Sequence, residues 1–242
     1  MAAVHPNRGE CNCNFKFLDL SFKFFSMDPK CKICRAFGTK LFLKGERCHN
    51  QKCAIIKRNY PPGIRKKRGR MLSEYGLQLR EKQKIRHSYG LSERQLKNYF
   101  IKARACSTAS FRRAYPTNSL GRVSKRLISD VLPELLEKRL DNVIFRLGFA
   151  ESRSVAKQLV SHGHFYINGR RVTIPSFQIK IGDVVSFKPK SRNKFKDLIL
   201  KRKEVPSWLA LDKEKLEAKI TSSPSKESVG EDISKVIEYY SR

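Results

Sequence analysis

Residues 165–174 read Phe165-Tyr166-Ile167-Asn168-Gly169-Arg170-Arg171-Val172-Thr173-Ile174, and they carry the strongest structural signal in the chain. An Asn-Gly pair between two strand-like runs strongly favours a β-hairpin, because both residues tolerate the positive φ that a two-residue turn requires. A further turn and strand follow in residues 179–185, around Gly182-Asp183. The sequence therefore predicts a short antiparallel sheet here.

Two helices are predicted before the hairpin. The apolar residues of the first recur every three or four positions and define one face: Leu140, Val143, Ile144 and Leu147. The second has a similar face: Val155, Ala156, Leu159 and Val160. Gly148 ends the first helix, Ser152 caps the second, and Gly163 is the expected left-handed terminator. We expect two helices packed on a small sheet over residues 138–190.

Basic side chains are expected on the outer surface of this predicted module. They are Arg153, Lys157, Arg170 and Arg171, with His162 at the end of the second helix. Folded RNA is recognised mainly through its shape and its phosphates, and a helix pair with a basic surface suits that task. We predict that the module binds RNA through these residues.

The composition of the whole chain points to the same partner. Its 242 residues include 52 Lys and Arg against 22 Asp and Glu, a net charge of +30. Such a chain is best accommodated beside a polyanion, with nucleic acid first and an anionic membrane second. Since no run of about 18 apolar residues occurs, the membrane is disfavoured. Without a secretory signal, reduced thiols and a cytoplasmic location are expected.

Four cysteines are spaced as metal ligands in the pattern Cys31-x-x-Cys34, thirteen residues, then Cys48-x(4)-Cys53. Four thiolates suit one tetrahedral, structural Zn²⁺, which would stabilise a segment too short and too charged to form a large core. His49 could replace Cys48 in such a set. The alternative is four reduced cysteines without metal.

Residues 57–70 form a basic loop with seven cationic side chains and no acidic one. Pro61-Pro62-Gly63 breaks any helix and keeps the loop extended. The candidates for phosphate contacts are Arg58, Arg65, Lys66, Lys67, Arg68 and Arg70, since guanidinium groups bind phosphate oxygens in pairs. The alternative is a solvated charge run or a localisation signal.

A helical region follows the basic loop. One helix is predicted from Ser73, with Arg80, Lys82 and Lys84 as further candidate RNA ligands. The next begins at a capping box formed by Ser92 and Gln95, and a third starts near residue 130 and leads into the module.

At this point the sequence resembles a known family. Residues 138–187 resemble the RNA-binding module named after small-subunit ribosomal protein four, through Arg139-Leu140-Asp141-Asn142-Val143, Ser152-Arg153, Gln158-Leu159-Val160-x-His162-Gly163-His164 and Ile167-Asn168-Gly169-Arg170. The parent ribosomal protein is resembled by segments outside the module, including Leu41-Phe42-Leu43-Lys44-Gly45-Glu46-Arg47-Cys48, Tyr60-Pro61-Pro62-Gly63, Trp208-Leu209-x-Leu211-Asp212 and Glu238-Tyr239-Tyr240-Ser241-Arg242. The resemblance spans about Pro29 to Arg242.

The resemblance implies a structural protein of the small ribosomal subunit, in a cytoplasmic ribosome or, as the alternative, in that of an organelle. It implies a primary binder of small-subunit ribosomal RNA that nucleates assembly of the 5′ domain and supports translational accuracy. It also implies a place beside the fifth small-subunit protein, at the channel through which messenger RNA enters. In the family, cations matching Arg65, Arg68 and Arg70 approach the messenger, although the loop here departs from the usual sequence after Pro62. Zinc-bearing, bacterial-type members carry cysteines that match the four of this chain.

The expected fold class is α+β, with a mostly helical N-terminal domain and a small α/β RNA-binding domain. Residues 1–26 are an extension, and we hypothesise that the natural chain begins at Met27. The remaining divisions are a zinc clip with the basic loop (27–70), a helical domain (71–137), the module (138–190) and a C-terminal segment packing back on the helical domain (191–242).

The alternative functions use the same module in a different protein class. Arg139-Leu140-Asp141 resembles the catalytic tripeptide of pseudouridine synthases, which are RNA-modifying enzymes. However, the tripeptide opens the module, and only about 50 residues follow the module, whereas such enzymes place the Asp in a large domain after it. We therefore expect no catalytic centre and an Asp141 near a helix start. A stress-related RNA-binding protein is the third class.

Overall fold

The computed structural model describes residues 29–63, 71–107, 127–189, 205–212, 215–224 and 232–241. The extension 1–26 therefore lies outside the described residues, as do residues 64–70 of the basic loop. The described helices are α1 (Lys30–Phe37), α2 (Glu46–His49), α3 (Ala54–Lys57), α4 (Glu74–Ser88), α5 (Glu93–Ser107), α6 (Ile128–Glu137), α7 (Leu140–Arg146), α8 (Arg153–Ser161) and α9 (Ile233–Ser241). The strands are β1 (Phe165–Ile167), β2 (Arg170–Arg171), β3 (Val184–Phe187), β4 (Leu209–Asp212) and β5 (Glu217–Ile220). The predicted α+β class is confirmed.

Helix starts follow the local sequence closely. The Ser73 hydroxyl caps α4 by accepting from the amide of Gly76 at 3.3 Å. At α5 the capping box is reciprocal: the Gln95 amide donates to Ser92 Oγ, and the Ser92 amide donates to Gln95 Oε1, both at 3.2 Å. Ser152 caps α8 through the amide of Val155. These three predicted helix starts are confirmed. They were predictable because each cap involves residues within one helical turn.

In the part of the chain that the structure describes, the sheet contains five antiparallel strands in the order β2-β1-β3-β5-β4. The predicted hairpin is confirmed: Ile167 pairs with Arg170, and the turn residues Asn168 and Gly169 have φ values of 48° and 78°. Two positive φ angles in succession are the geometry for which Asn-Gly is favoured. The helices α7 and α8 pack on this sheet as predicted.

The C-terminal part differs from the predicted division at residue 190. Strands β4 and β5 belong to the module's sheet, since β5 pairs with β3. The buried side chains of Trp208, Leu209, Ala218 and Ile220 extend its core. The helix α9 instead packs against α4. We call α4, α5, α6 and α9, which share one core, the helical body. A short strand with two buried residues leaves a weak sequence pattern, so its distant pairing with β3 could not be predicted.

Two apolar cores result. The module core is centred on α7, α8 and the sheet, and the core of the helical body contains Ile85, Leu96, Phe100, Leu132 and Val236. Within the described residues, no helix is long and apolar enough to cross a membrane.

A buried carboxylate joins the two cores. Glu137, at the end of α6, is fully buried and accepts hydrogen bonds from Arg146 (Nε 3.0 Å, Nη2 2.9 Å), from Asn142 Nδ2 (2.9 Å) and from the Tyr89 hydroxyl (2.6 Å). Arg146 and Asn142 lie on α7 of the module, whereas Tyr89 follows α4 of the body. Arg139 adds a second link by donating to the Tyr99 hydroxyl at 2.7 Å.

The charge of Glu137 is matched by its surroundings. Burial by itself would raise the pKa of the Glu137 carboxyl. The hydrogen bonds and positive charge of Arg146, with the Tyr89 hydroxyl, outweigh burial and hold this pKa below its ordinary value. A carboxyl with a lowered folded-state pKa stabilises the fold above its unfolded-state pKa of about 4.3, and the stabilisation is lost as pH falls through the folded value.

Glu137→Gln is expected to lower the free energy of unfolding at pH 7 by about 2–3 kcal/mol, because Arg146 then faces a neutral amide. Urea unfolding as a function of pH measures this. The difference in the free energy of unfolding between the variant and the parent should stay constant from pH 7 to 5 and become smaller below about pH 4. Glu134→Gln is the control, since its carboxylate pairs with Lys138 along a single helix and should cost about 0.5 kcal/mol or less. A difference independent of pH would contradict a charged Glu137.

Candidate nucleic-acid interface

The outer face of the module presents exposed cations, as the sequence predicted. Arg170 and Arg171 form the exposed strand β2, His162 is exposed after α8, and Lys157 is half-buried on α8. Strand β2 is an edge strand of the sheet. Arg171 donates to the backbone oxygen of His162, so β2 and the end of α8 meet at the surface of the module. We call this set (Lys157, His162, Arg170 and Arg171) the module face.

Arg171 is held in place by the end of α8. Its guanidinium donates to the backbone oxygen of His162 at 3.4 Å and lies over Gly163. A Cβ at Gly163 would stand 2.3 Å from Arg171 Nε, and Gly163 has a φ of 71°. Gly163 therefore ends α8, as predicted, and also makes room for the arginine, a second role that the sequence alone did not reveal.

Arg153 differs from the prediction that placed it on the RNA-binding surface. Its Nε donates to Asn142 Oδ1 at 2.8 Å, and its guanidinium lies 4.5 Å from the ring centroid of Tyr89 and 4.8 Å from that of Phe145. Longer contacts of 3.4 Å reach the backbone oxygen and hydroxyl of Ser88 on α4. Arg153 thus lies between the module and the helical body, and its guanidinium contacts residues of both. We call this contact region between the two parts the joint.

The predicted RNA ligands of α4 likewise have partners within the protein. Arg80 donates to the backbone oxygen of Phe37 at 2.5 Å, and Lys84 pairs with Glu81 at 2.6 Å. Lys82 is 4% exposed, and its ammonium contacts Glu93.

Lys82 has a specific internal environment. Its Nζ lies 2.6 Å from Glu93 Oε1 and 4.2 Å from the ring centroid of Tyr239 on α9. Burial would lower the pKa of Lys82, but Glu93 and Tyr239 outweigh it and raise the pKa. The amphipathic pattern gave no sign of the contact with Tyr239, because Tyr239 is 157 residues away in sequence. The prediction that Lys82 binds RNA is therefore corrected, and Lys82 has a structural role.

The basic loop is described only up to Gly63. Arg58 is exposed, directly after α3. The backbone oxygen of Tyr60 accepts from Arg35 Nε at 3.0 Å, which ties this part of the loop to α1. The other predicted ligands of the loop lie outside the described residues and stay predictions: Arg65, Lys66, Lys67, Arg68 and Arg70.

The four predicted metal ligands come together at one pocket. Cys31 and Cys34 lie on α1, Cys48 lies on α2, and Cys53 precedes α3. All four are free thiols, and the last three named are buried. Burial, with a smaller contribution from the other three thiols, raises the pKa of Cys34.

The donor chemistry at this pocket is that of a structural zinc site. Four sulfurs border it, and none of its described lining residues is acidic. In their present placement, however, the described His, Cys, Asp and Glu side chains form no group of three or more that could hold a metal ion. His49 does not line the pocket and is exposed.

The loop between the two cysteine pairs touches the module directly. A Cβ at Gly45 would stand 2.7 Å from Glu151 Cβ and 3.0 Å from the Glu151 backbone oxygen. Gly45 also accepts from the amide of Cys48 at 2.9 Å. The cysteine segment is therefore packed against the turn between α7 and α8, a contact that only glycine permits.

Asp141 is part of the interior. It is 3% exposed and receives two hydrogen bonds from Arg139, at 3.0 Å and 2.6 Å, and one from the amide of Asn142 at 2.8 Å. This matches the predicted position at a helix start, since Asp141 lies in the first turn of α7. A carboxylate buried and saturated in this way does not face a substrate.

Comparison with known proteins gives a consistent result. The family model described as "Ribosomal protein S4/S9 N-terminal domain" matches residues 26–120, and the model "S4 domain" matches residues 138–185. The chain is 44% identical over 217 residues to the small ribosomal subunit protein uS4 of Clostridioides difficile, covering 88% of this chain and 96% of that protein. It is 42% identical to the protein of the same name from Caldicellulosiruptor saccharolyticus, covering 88% and 97%. It is 44% identical to uS4A of Alkaliphilus metalliredigens, covering 89% and 98%.

Neutral substitutions should separate a residue of the module face from a residue of the joint. Lys157→Gln should weaken binding of structured RNA and reduce the slope of log affinity against log salt by about 1, because one phosphate contact is lost. Arg153→Gln should weaken binding with the slope unchanged, since it populates misaligned arrangements while the bound state keeps its phosphate contacts. Filter binding over a salt series measures both. A reduced slope of log affinity against log salt for Arg153→Gln would show that Arg153 itself contacts RNA phosphate.

Proposed function

The chain belongs to the small ribosomal subunit protein uS4 family, and we propose that it binds small-subunit ribosomal RNA through the module face. Membership of this family makes it a structural constituent of the small subunit of the cytoplasmic ribosome. The observation that carries the proposal is the exposed pair Arg170 and Arg171 on the edge strand β2, with Arg171 in contact with His162 at the end of α8. Exposed cations and the exposed imidazole of His162 on a folded module suit phosphate contacts with folded RNA.

A role in assembly is part of the proposal. The module and the helical body are linked by the buried Glu137 and by Arg153, so the free protein presents its surfaces in a fixed arrangement. A pre-arranged binder loses little conformational freedom on binding, which favours binding to RNA before other proteins are present. We therefore assign it a primary binding role that nucleates the 5′ domain.

The basic loop 57–70 supports a place at the channel through which messenger RNA enters. Its seven cations would approach a single-stranded phosphate backbone without reading its sequence, and Arg58 is exposed at its described end. Contacts of this kind position the messenger and so bear on translational accuracy. Neighbouring small-subunit proteins, notably the fifth, complete the partners that we propose.

Catalysis is no part of the proposed function. A pseudouridine synthase would need an accessible carboxylate, whereas Asp141 is saturated by Arg139 in the interior. A stress-related protein with the module alone is disfavoured because the relatives align over 88% of the chain, far beyond residues 138–185.

We also propose that Cys31, Cys34, Cys48 and Cys53 hold one structural Zn²⁺. The support is their common pocket and their all-thiol chemistry, and the side chains would have to move to bring the four sulfurs into a tetrahedron. The ion would tie α1, α2 and α3 together, where segment 29–63 has little core of its own.

Ribosomal RNA binding is expected to be tight and steeply salt-dependent. The purified chain should bind a transcript of the 5′ domain, and log affinity should fall linearly with log salt because several phosphates are neutralised. The double variant Arg170→Gln with Arg171→Gln should bind more weakly and with a slope reduced by about 2. Arg104→Gln, an exposed cation on α5 remote in sequence from the module, is the control. Unchanged affinity of the double variant would refute the module face.

Zinc binding is expected at one ion per chain. Elemental analysis of protein purified without chelators should give one zinc, and Cys34→Ser should lose it because three thiolates hold the ion far less well than four. Cys106→Ser is the matched control, since Cys106 lies on α5 outside the cluster. Protein that contains no zinc after purification in zinc-supplemented buffer would overturn the assignment.

A further inference from the structure

Segment 29–63 exposes an aromatic side chain in a strongly basic setting. It contains nine Lys and Arg and a single acidic residue, Glu46. Within it Phe42 is 41% exposed. Single exposed apolar residues are common on proteins and need no explanation by themselves. Phe42 has two further features that set it apart.

The first feature is its backbone. Phe42 has a φ of 50°, in the left-handed region that bulky residues rarely adopt because Cβ crowds the following carbonyl. Strain of this kind tends to be kept where a particular side-chain placement matters. Here it places a phenyl ring at the surface, where burial of the ring offsets little of the strain.

The second feature is its neighbour. The rings of Phe42 and His49 lie with their centroids 5.1 Å apart and their planes at 31°. His49 is exposed and does not line the cysteine pocket. The two rings therefore form an open aromatic pair on the surface. Exposed Lys40, Lys44 and Arg47 are close to them in sequence.

We propose that Phe42 and His49 form a stacking platform for an unpaired RNA base, a site distinct from the module face. Sites for single-stranded nucleic acid combine aromatic rings that stack on bases with cations that follow the backbone, and both are present here. A protein partner is disfavoured, since most protein segments would bring no polyanion to match nine cations. The proposal rests on the proposed function for its RNA ligand and adds the kind of nucleotide that is bound.

The test separates stacking from charge. Phe42→Asn removes the ring and tolerates the left-handed backbone, so the variant should fold with a melting temperature equal to or above that of the parent. It should bind a short oligoadenylate about tenfold more weakly than the parent, whereas an abasic oligomer of equal length should bind both proteins equally. Ile56→Asn, which changes another exposed apolar residue of the same segment, should leave both affinities unchanged.

A second measurement observes the contact directly. Trp208 is only 4% exposed, so the emission of a Phe42→Trp variant should show an added, solvent-exposed component that oligoadenylate quenches and the abasic oligomer does not. Equal affinity of Phe42→Asn and the parent for oligoadenylate, an equal loss on the abasic oligomer, or a lowered melting temperature would overturn the platform. Binding of the 5′-domain transcript by the parent is scored separately, so the platform can fail while the proposed function stands.

Discussion

The buried Glu137 carboxylate is the constraint on which the arrangement of the chain depends. It must be satisfied inside the protein, and its partners come from both sides of the joint: Arg146 and Asn142 from the module and Tyr89 from the helical body. A buried charge with fixed partners permits few alternative geometries, because any displacement leaves donors or acceptors without partners. Arg153 then fills the remaining space between Tyr89 and Phe145, so the angle between the two cores is set by polar geometry as much as by apolar packing.

The cations of the chain fall into two groups. Lys82 and Arg153 are used internally, where aromatic rings and hydrogen-bond acceptors replace water around the charge. Arg170 and Arg171 remain exposed on an edge strand. A net charge of +30 therefore overstates the RNA-binding surface, since part of the excess holds the fold together. Charge counting identified the type of partner correctly and could not assign the individual residues.

The limits of sequence interpretation follow the distance between interacting residues. The capping box of Ser92 and Gln95 and the Asn168-Gly169 turn are local, so the residues that make each contact are visible together. The pairing of β5 with β3 joins residues 31 to 35 positions apart, and the environment of Lys82 depends on Tyr239, near the C-terminal end of the chain. For the candidate site, the sequence predicted exposed cations on the module and a meeting of the four cysteines, and the structure shows Arg170 and Arg171 exposed and the four cysteines at one pocket. It missed the Phe42–His49 pair, whose sign is a backbone angle.

The contact of Gly45 with Glu151 fixes the position of the cysteine segment relative to the module. Gly45 lies between the cysteine pairs, three residues after Phe42, and its bare Cα packs against Glu151 at the start of the turn that Ser152 and α8 complete. A side chain at Gly45 would push the cysteine segment away from the module. A backbone contact therefore positions the segment that carries the aromatic pair against the module. Arg153 in turn positions α8 of the module against the helical body. An RNA that reaches both the aromatic pair and the module face would meet surfaces whose spacing is fixed before it binds, and this reduces the ordering that binding requires.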